Sequence, residues 1–385
     1  MVTGGGRYVN DLVVCSLEPW DHVWRRNQFL VDGLLRHDHT LRVLFVEPAR
    51  DPLHLMHIGQ KPGLGRGRLG VPGTDGRLHR LELTKWLPRA AGPMADLLLQ
   101  RGVREAAAAI GMRKPLLWVN DPGWAGLVAA TNWPAIYDIT DDWVAADRPQ
   151  REHDRIVANE AILMQGCREV VVCSEQLKRT KSAMRPVELV PNAVNLAWYR
   201  DPQPRPEDLP RGQIALYAGT LHEDRLDVDL AVVLGQALSR VGAQLVFVGP
   251  NALGSQNTDR LAAISGVHLL GSRPYRDLPA YLQHADVLVV PHLVNDFTDS
   301  LDPIKLYEYQ AAQRLIVSTP VAGFRQLAGL PGVAICEARD FPAGVVDRLQ
   351  RPPESIGPFD VADWDDRVVA MERVLSRARA PRDNG

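Results

Sequence analysis

Residues 213–250 read QIALYAGTLHEDRLDVDLAVVLGQALSRVGAQLVFVGP. Ile214–Tyr217 is a continuous apolar run that ends in the small residues Ala218, Gly219 and Thr220. A helical period fills 227–241, and a second apolar run, Gln244–Val248, stops at Gly249 and Pro250. Two strands without polar alternation, joined by a helix, predict a parallel pair covered on both faces.

The same rhythm continues in both directions. Downstream come Val267–Leu270, Val287–Val290 and Leu315–Val317. Upstream lie Asp11–Cys15, Leu41–Val46, His79–Leu83, Pro115–Val119, Ala135–Tyr137 and Glu169–Cys173. Helical stretches at Arg25–Leu35 and Asp96–Ile110 alternate with them. Around 187–212 the texture turns rich in proline and charge, the mark of a domain boundary. The expectation is an α/β protein of two doubly wound domains. The first spans 1–190 and the second 191–360, with a last amphipathic helix and tail over 361–385. A length of 385 residues suits two domains.

Composition narrows the function classes. With 45% hydrophobic and 23% charged residues the chain can fill two cores. Its net charge of −2 excludes a polycation built to wrap nucleic acid. Four cysteines without C-x-x-C spacing read as reduced core residues, with no zinc site or disulfide framework. No basic leader followed by an apolar segment opens the chain, and no run of 18 apolar residues occurs, so a cytoplasmic location is expected. The Gly-rich segment 59–76 reads as a mobile surface loop. Eleven Lys or Arg against four Asp or Glu over 61–114 form a local basic region. That region is a solvated face or a docking face for an anionic acceptor or a peripheral membrane surface. G-x-G-x-x-G after a strand, G-x-x-x-x-G-K-[ST], H-E-x-x-H and G-x-S-x-G are all absent. NAD enzymes, P-loop ATPases, zinc hydrolases and serine esterases are thereby disfavoured.

Doubly wound domains bind ligands at the carboxyl ends of their strands. There the chain places Gly219-Thr220 with Arg225 a few residues on, suited to backbone and guanidinium contacts with phosphate. Gly271-Ser272-Arg273-Pro274-Tyr275 ends another strand, with the area and backbone donors that a nucleotide base requires. The segment 295–323, NDFTDSLDPIKLYEYQAAQRLIVSTPVAG, is the richest. Asp299 and Ser300 sit in a polar loop, and Pro303 starts a helix that carries Lys305 and Glu308 three apart on one face. A cation for a phosphate and a carboxylate for two ribose hydroxyls suit a nucleoside diphosphate. A plain surface pair is the alternative.

These residues carry a resemblance. Pro303-x-Lys305-Leu306-x-Glu308-Tyr309, followed by LIVSTPVAG, resembles the donor segment of GT-B nucleotide-sugar glycosyltransferases. The bacterial family that includes mannosyl and teichuronic-acid-type transferases is the nearest in pattern. ELVPNAVN, LYAGTLHEDRLD, VHLLGSRPYRDLPAYLQHADVLVVPH, AIYDITDDWVAA and WDDRVVAMERVL resemble further segments in that family's order. The resemblance implies two Rossmann-like domains facing a cleft, with the terminal helix returning to the first. It also implies transfer of a sugar from a nucleotide-diphosphate sugar to an acceptor hydroxyl; no metal or tightly bound cofactor is expected, because Arg225, Lys305 and backbone donors can offset the diphosphate charge. Glu308 would hold the ribose, and Arg225 and Lys305 the diphosphate, with backbone at Gly219 and Thr220. Ser272, Arg273 and Tyr275 would border the base, and Asp299, Ser300 and Leu301 would approach the sugar and phosphates. The pattern departs at Ser300, where many members carry Glu, at Asp227 and Asp229, where a second cation is usual, and at Asn120-Asp121, where a His is common.

The first domain would hold the acceptor, a polysaccharide, lipid-linked or natural-product molecule. Seven of nine tryptophans precede residue 144. Trp20, Trp24, Trp124 and Trp143 stand near strand ends beside acids, a lining suited to sugars. Core packing is the alternative for each. If an inverting route needs a base, Asp21, His22, Asp121, Asp141 and Asp142 are the candidates, Asp141 and Asp142 also suiting a helix N-cap before WVAAD. The family resemblance favours a retaining route. A nucleotide-sugar epimerase or hydrolase, and a non-catalytic nucleotide-sugar-binding partner, are the rival functions.

Overall fold

The computed structural model describes residues 10–57, 61–87, 93–146, 148–351 and 359–381. The chain divides into two compact units. One holds the residues up to Asp21, Arg25–Val190 and those from Asp365 on. The other holds His22–Trp24 and Pro191–Trp364.

The first unit is built on β1 (Asp11–Cys15), β2 (Arg42–Val46), β3 (Gly67–Gly70), β4 (Leu78–Glu82), β5 (Leu116–Val119), β6 (Ala135–Ile139), β7 (Glu169–Val172) and β8 (Glu188–Leu189). They form one sheet in the order β3-β4-β2-β1-β5-β6-β7-β8. All neighbours are parallel except β3, which runs antiparallel to β4. Its helices are α1 (Arg26–His37), α2 (Pro52–His57), α3 (Pro93–Ala109), α4 (Ala125–Ala130), α5 (Gln150–Gly166) and α6 (Glu175–Lys181). The central strands are buried on both faces, as an unbroken apolar run requires.

The second unit carries β9 (Ile214–Ala218), β10 (Gln244–Val248), β11 (Val267–Gly271), β12 (Val287–Val290), β13 (Leu315–Ser318) and β14 (Val333–Ile335). Their order is β11-β10-β9-β12-β13-β14, all parallel. Helices α7 (Ala197–Arg200), α8 (Val228–Arg240), α9 (Ser255–Ala262), α10 (Leu278–Gln283), α11 (Asp296–Ser300), α12 (Ile304–Ala312) and α13 (Phe341–Gln350) cover it. Alternate residues of β9 feed two cores. Ile214 and Leu216 enter one with Tyr309, and Ala215 and Tyr217 the other with Phe341. Each such fully buried large side chain contributes about 1.5–3 kcal/mol.

A final helix, α14 (Trp364–Arg379), belongs to the first unit from Asp365 onward. Asp365 pairs with Arg36 of α1 at 3.0 Å, and Arg377 reaches Glu169 and Glu188. Gly33 of α1 lies directly under Val368, and a Cβ there would overlap that side chain.

Both sheets reverse their strand order once, between β1 and β5 in the first unit and between β9 and β12 in the second. The loops leaving those strands open the crevice where such sheets take ligands.

Two local expectations fail. The described part of 59–76 is not all loop, because Gly67–Gly70 pairs with β4 as an edge strand. Four residues with two glycines hold too little apolar alternation to announce a strand. Trp143–Ala146 forms turns and a bend and no helix, since α5 starts only at Gln150 behind Pro149. The N-cap role for Asp141 and Asp142 therefore falls.

Candidate functional site

In the second unit the site forms where β9 and β12 end. Gly219 takes φ +132° and Gly249 φ +148°, values that side-chain-bearing residues rarely adopt. A Cβ on Gly249 would strike the Gly219 carbonyl, so the loops after β9 and β10 touch backbone to backbone. A Cβ on Gly219 would stand 3.0 Å from the Lys305 ammonium. Thus Gly219 leaves its peptide bare beside a cation, the surface a phosphate oxygen needs.

Helix α12 brings the charged groups. Tyr309 anchors it, its hydroxyl accepting from Ala218 N at 2.8 Å and donating to Val289 O at 3.4 Å. One turn earlier, Lys305 Nζ donates to Tyr217 Oη at 2.6 Å and lies 3.3 Å from His292 Nε2. Tyr217 Oη and His292 Nε2 are 3.1 Å apart. Glu308 is buried, facing Tyr275 and Tyr199. Arg225 sits on the loop after β9, its guanidinium 5.4 Å from the Phe297 ring centroid. Leu293 N donates to Arg225 O at 2.8 Å and Asp227 N to Pro291 O at 2.9 Å, which fasten that loop to the end of β12.

Burial first, and then Arg225, push the Lys305 ammonium down to about 7, with Glu308 pulling the other way. Burial pushes the Glu308 carboxyl up to about 7, against the Tyr275 hydroxyl and Lys305. Burial, Lys305 and Arg225 hold His292 well below the ordinary histidine range, so its imidazole is neutral. Lys305 donates to a phenol and faces an imidazole, which leaves its charge poorly compensated. A diphosphate beside Gly219 would supply the missing counter-charge.

The remaining donor-site expectations divide. Arg273 is committed elsewhere: it pairs with Asp208 and donates to Tyr281 Oη at 2.9 Å. Tyr275 is buried beside Glu308 rather than offering a face to a base. Asp299 pairs with Arg325 at 2.8 Å. Ser300 is buried and donates to the Phe297 carbonyl at 2.7 Å, and Leu301 is buried. Thr220 accepts from Tyr217 through its carbonyl at 3.3 Å. Ser272 Oγ lies 2.8 Å from His22 Nε2. His22 therefore belongs with the second unit, together with Trp24, and not with the first-domain lining expected from chain position.

Sequence reasoning missed Tyr217, His292, Asn192 and Asp302 as parts of this site. Asn192 N donates to Asp302 Oδ2 at 2.5 Å, and Tyr307 Oη to Asp302 Oδ1 at 2.8 Å, which fix the loop ahead of α12. The Pro-Asn pair of ELVPNAVN was the available signal for this clamp. His292 ends an apolar strand, a position that marked it without giving it a partner.

In the first unit a cavity of about 310 Å³ lies over the ends of β1, β2 and β5, walled by α3 and α5. Asp121, Trp124, Trp143, Lys85, Arg148 and Glu152 are among its lining residues. Asp121 accepts from Gly123 N at 2.7 Å. Trp143 carries the Arg148 guanidinium 4.8 Å from its ring centroid. Trp124 lies in the core and reaches the cavity from there. Trp20 is spent on Phe45, ring edge to ring face at 5.0 Å, and does not line the cavity.

The other first-unit acids have structural partners. Lys181 Nζ reaches Asp142 at 3.1 Å and Glu160 at 2.6 Å in a largely buried triad. Asp141 accepts from Thr140 Oγ1 at 3.2 Å, and Asp21 lies 3.8 Å from Arg25. Behind them Asp138 is fully buried, receives Arg26 through two bonds of 3.1 Å and Trp118 Nε1 at 3.2 Å. Asn120 bridges Asn27 and the Asp138 carbonyl. This network fixes the strand ends beneath the cavity.

Two parallel-sheet units in series, each with its switch-point crevice, define the fold of the GT-B glycosyltransferases. Residues 212–351 match the model of the family "Glycosyl transferases group 1". A protein of Bacillus subtilis (strain 168), named as a teichuronic acid biosynthesis glycosyltransferase, TuaH, is 24% identical over 217 residues. That match covers 53% of this chain and 55% of the relative's length. Sucrose-phosphate synthase from Thermosynechococcus elongatus superposes with a TM-score of 0.68 at 16% identity, over 96% of this chain and 98% of that one. An Escherichia coli structure titled for trehalose-6-phosphate and bound with UDP-2-fluoro glucose superposes with a TM-score of 0.60 at 12% identity, over 96% of each chain. At these identities the structural likeness speaks for the fold.

Proposed function

We propose that this chain is a glycosyltransferase that moves a sugar from a nucleoside diphosphate sugar to an acceptor hydroxyl. The single observation that carries the reading is the Lys305 and Glu308 pair, buried one turn apart where β9 and β12 diverge. Glu308 in its ionised form accepts from the two ribose hydroxyls. Lys305, Arg225 and the bare peptide at Gly219 receive the diphosphate and stabilise its charge as the glycosidic bond breaks. In this reading the cations do what a metal ion does in other transferases. Neutral His292 and Tyr217 hold the Lys305 ammonium without cancelling its charge.

The acceptor occupies the first unit's cavity. Lys85 stands 3.3 Å from Asp51 and Arg148 3.0 Å from Glu152, so the lining alternates in sign. A polyhydroxylated acceptor end fits such a wall, with hydroxyls donating to acids and accepting from cations. The occupied state of the five candidate bases supports a retaining route, in which a donor phosphate oxygen takes the proton of the attacking hydroxyl. Asp121 is the candidate base that lines the cavity, and loss of turnover in Asp121→Asn with donor affinity intact would favour the inverting route instead.

The test has two stages. Thermal-shift screening against UDP-, GDP-, dTDP- and ADP-sugars identifies the donor, because a ligand of the native state raises its Tm. Glu308→Gln is then expected to lower donor affinity about 10–100-fold, the effect of removing a charged hydrogen-bonding partner. Unchanged affinity and turnover in a folded Glu308→Gln chain would overturn the donor-site assignment. Release of free or epimerised sugar without acceptor, at the rate of transfer, would turn the reading toward a hydrolase or epimerase.

A further inference from the structure

Helix α3 is apolar on two sides. Its inner side sends Leu99, Val103 and Ala107 into the core. Its outer side carries Met94, Leu97 and Leu98, exposed by 62%, 53% and 49%. At positions i, i+3 and i+4 these make one stripe, which continues with exposed Arg101 at i+7 and Arg104. A helix at a water-facing surface normally puts polar residues there.

The neighbouring segments repeat the pattern. Trp86 is 64% exposed, and Leu64, Met56 and Leu53 are exposed as well. The segments that carry them adjoin one another. Lys85 N donates to Arg50 O at 2.7 Å, and Gly65 N donates to Thr84 Oγ1 at 2.8 Å. Gly102 of α3 packs on Leu83. Segments 50–57, 64–66, 83–86 and α3 therefore meet around Leu83 and Lys85. Of the fifteen large hydrophobic side chains exposed among the described residues, seven fall between Leu53 and Leu98. Among the described residues of 61–114, seven exposed Lys or Arg, among them Lys61, Arg66, Arg101 and Arg104, stand against exposed Asp75 and Glu105, with Arg66 paired to buried Glu82 and Arg101 to Glu105. Apolar side chains interspersed with a surplus of cations match the surface of an anionic bilayer, where rings and aliphatic chains enter the interface and cations meet the headgroups.

We propose that the outer face of α3, with Trp86 and Leu64 beside it, docks on an anionic lipid bilayer. Among the described residues no helix is long and apolar enough to cross a membrane, so the contact is peripheral. The face continues into a groove of about 650 Å³ between α3, α4 and α5, where Leu97, Ala95, Ala130 and Ile162 are among the walls. Lys85, Asp96 and Gln100 line both this groove and the acceptor cavity. A docked first unit would thus receive an amphiphilic acceptor from the bilayer, its apolar part in the groove and its hydroxylated part in the cavity. That last consequence rests on the transfer reading; the docking does not.

Flotation with vesicles of phosphatidylcholine containing about 30 mol% phosphatidylglycerol tests the docking directly. The full chain is expected to float with these vesicles, to float far less with pure phosphatidylcholine, and to be released in part by raised salt. Leu97→Asp with Leu98→Asp, both on an exposed face, is expected to abolish flotation while leaving Tm and nucleotide-sugar binding unchanged. Arg101→Ala with Arg104→Ala is expected to weaken partitioning about 10-fold or more, each cation near an anionic surface being worth roughly fivefold. No flotation with the anionic vesicles would overturn the proposal, and so would flotation unchanged by the Leu97/Leu98 pair. A wild-type dimer in sedimentation velocity that this pair dissociates would give the face to a second copy of the chain instead. None of these outcomes depends on catalysis, so failure here leaves the transfer reading standing.

Discussion

The two units treat buried charge in opposite ways. In the first, each buried charged cluster is closed by its own partners: Arg26 with Asp138, Lys181 with Glu160 and Asp142, Arg80 with Glu47 and Glu82. In the second, Lys305 and Glu308 share a site without forming such a closed pair. Each is displaced to about 7, from opposite sides. A closed pair fixes backbone and asks for nothing more. Two buried groups compensated only in part are costly in the protein alone and become favourable when a ligand supplies what each lacks. The contrast separates charge closed within the fold from charge left partly open at the strand ends.

The largest effect should come from opening a closed pair. Arg26→Leu leaves Asp138 buried without its cation and is expected to cost about 3–5 kcal/mol of stability. Denaturant unfolding followed by near-UV circular dichroism measures this, with donor affinity of the surviving folded chain unchanged. A loss below about 1 kcal/mol would show that the first unit's pairs are not architectural.

A smaller effect, and the one that defines the open pair, is the pH profile of donor binding. The diphosphate needs protonated Lys305, so that contribution is full below about 7 and declines as pH rises. The ribose hydroxyls need ionised Glu308, so that contribution is present above about 7 and declines as pH falls. Together they predict a bell-shaped affinity profile centred near neutrality. Calorimetric titrations across pH should show it, with Lys305→Met leaving only a rise with pH and Glu308→Gln only a fall. A flat wild-type profile would move both groups out of the site.

The smallest effect concerns the cavity. Trp143→Ala removes the ring that supports Arg148 and is expected to raise the acceptor KM about 10-fold with little change in kcat or donor affinity. An equal fall in donor affinity would mean that the roles of the two units are not separable.

The strands were legible because parallel sheets buried on both faces demand unbroken apolar runs. Gln244–Val248 and Val287–Val290 stand where the sequence puts them. The edge strand Gly67–Gly70 and the two-residue strand Glu188–Leu189 were not, since edges bury too little to impose a pattern. In the site, Lys305 and Glu308 were legible because helical spacing is local. Tyr217 and His292 were not. Their meeting depends on β9 and β12 being neighbours, which no short window of sequence contains. His22 and Trp24 show the same limit in reverse, since their position in the chain assigns them to one unit and their contacts to the other. The aromatic excess was visible, yet Trp118 and Trp20 serve packing and hydrogen bonding, roles that residue type alone does not distinguish from sugar recognition.

The return of α14 to the first unit also sets an order of assembly. Apart from His22–Trp24, the second unit is one uninterrupted stretch of chain, nested between the pieces of the first. During synthesis from the N-terminus its six strands are all available before Asp365 has been made. The first unit must wait for the last helix to cover Gly33 and to bring Arg377 to Glu169 and Glu188. The second unit can therefore mature while its neighbour is still incomplete, and a chain cut short near its end would lose the first unit first.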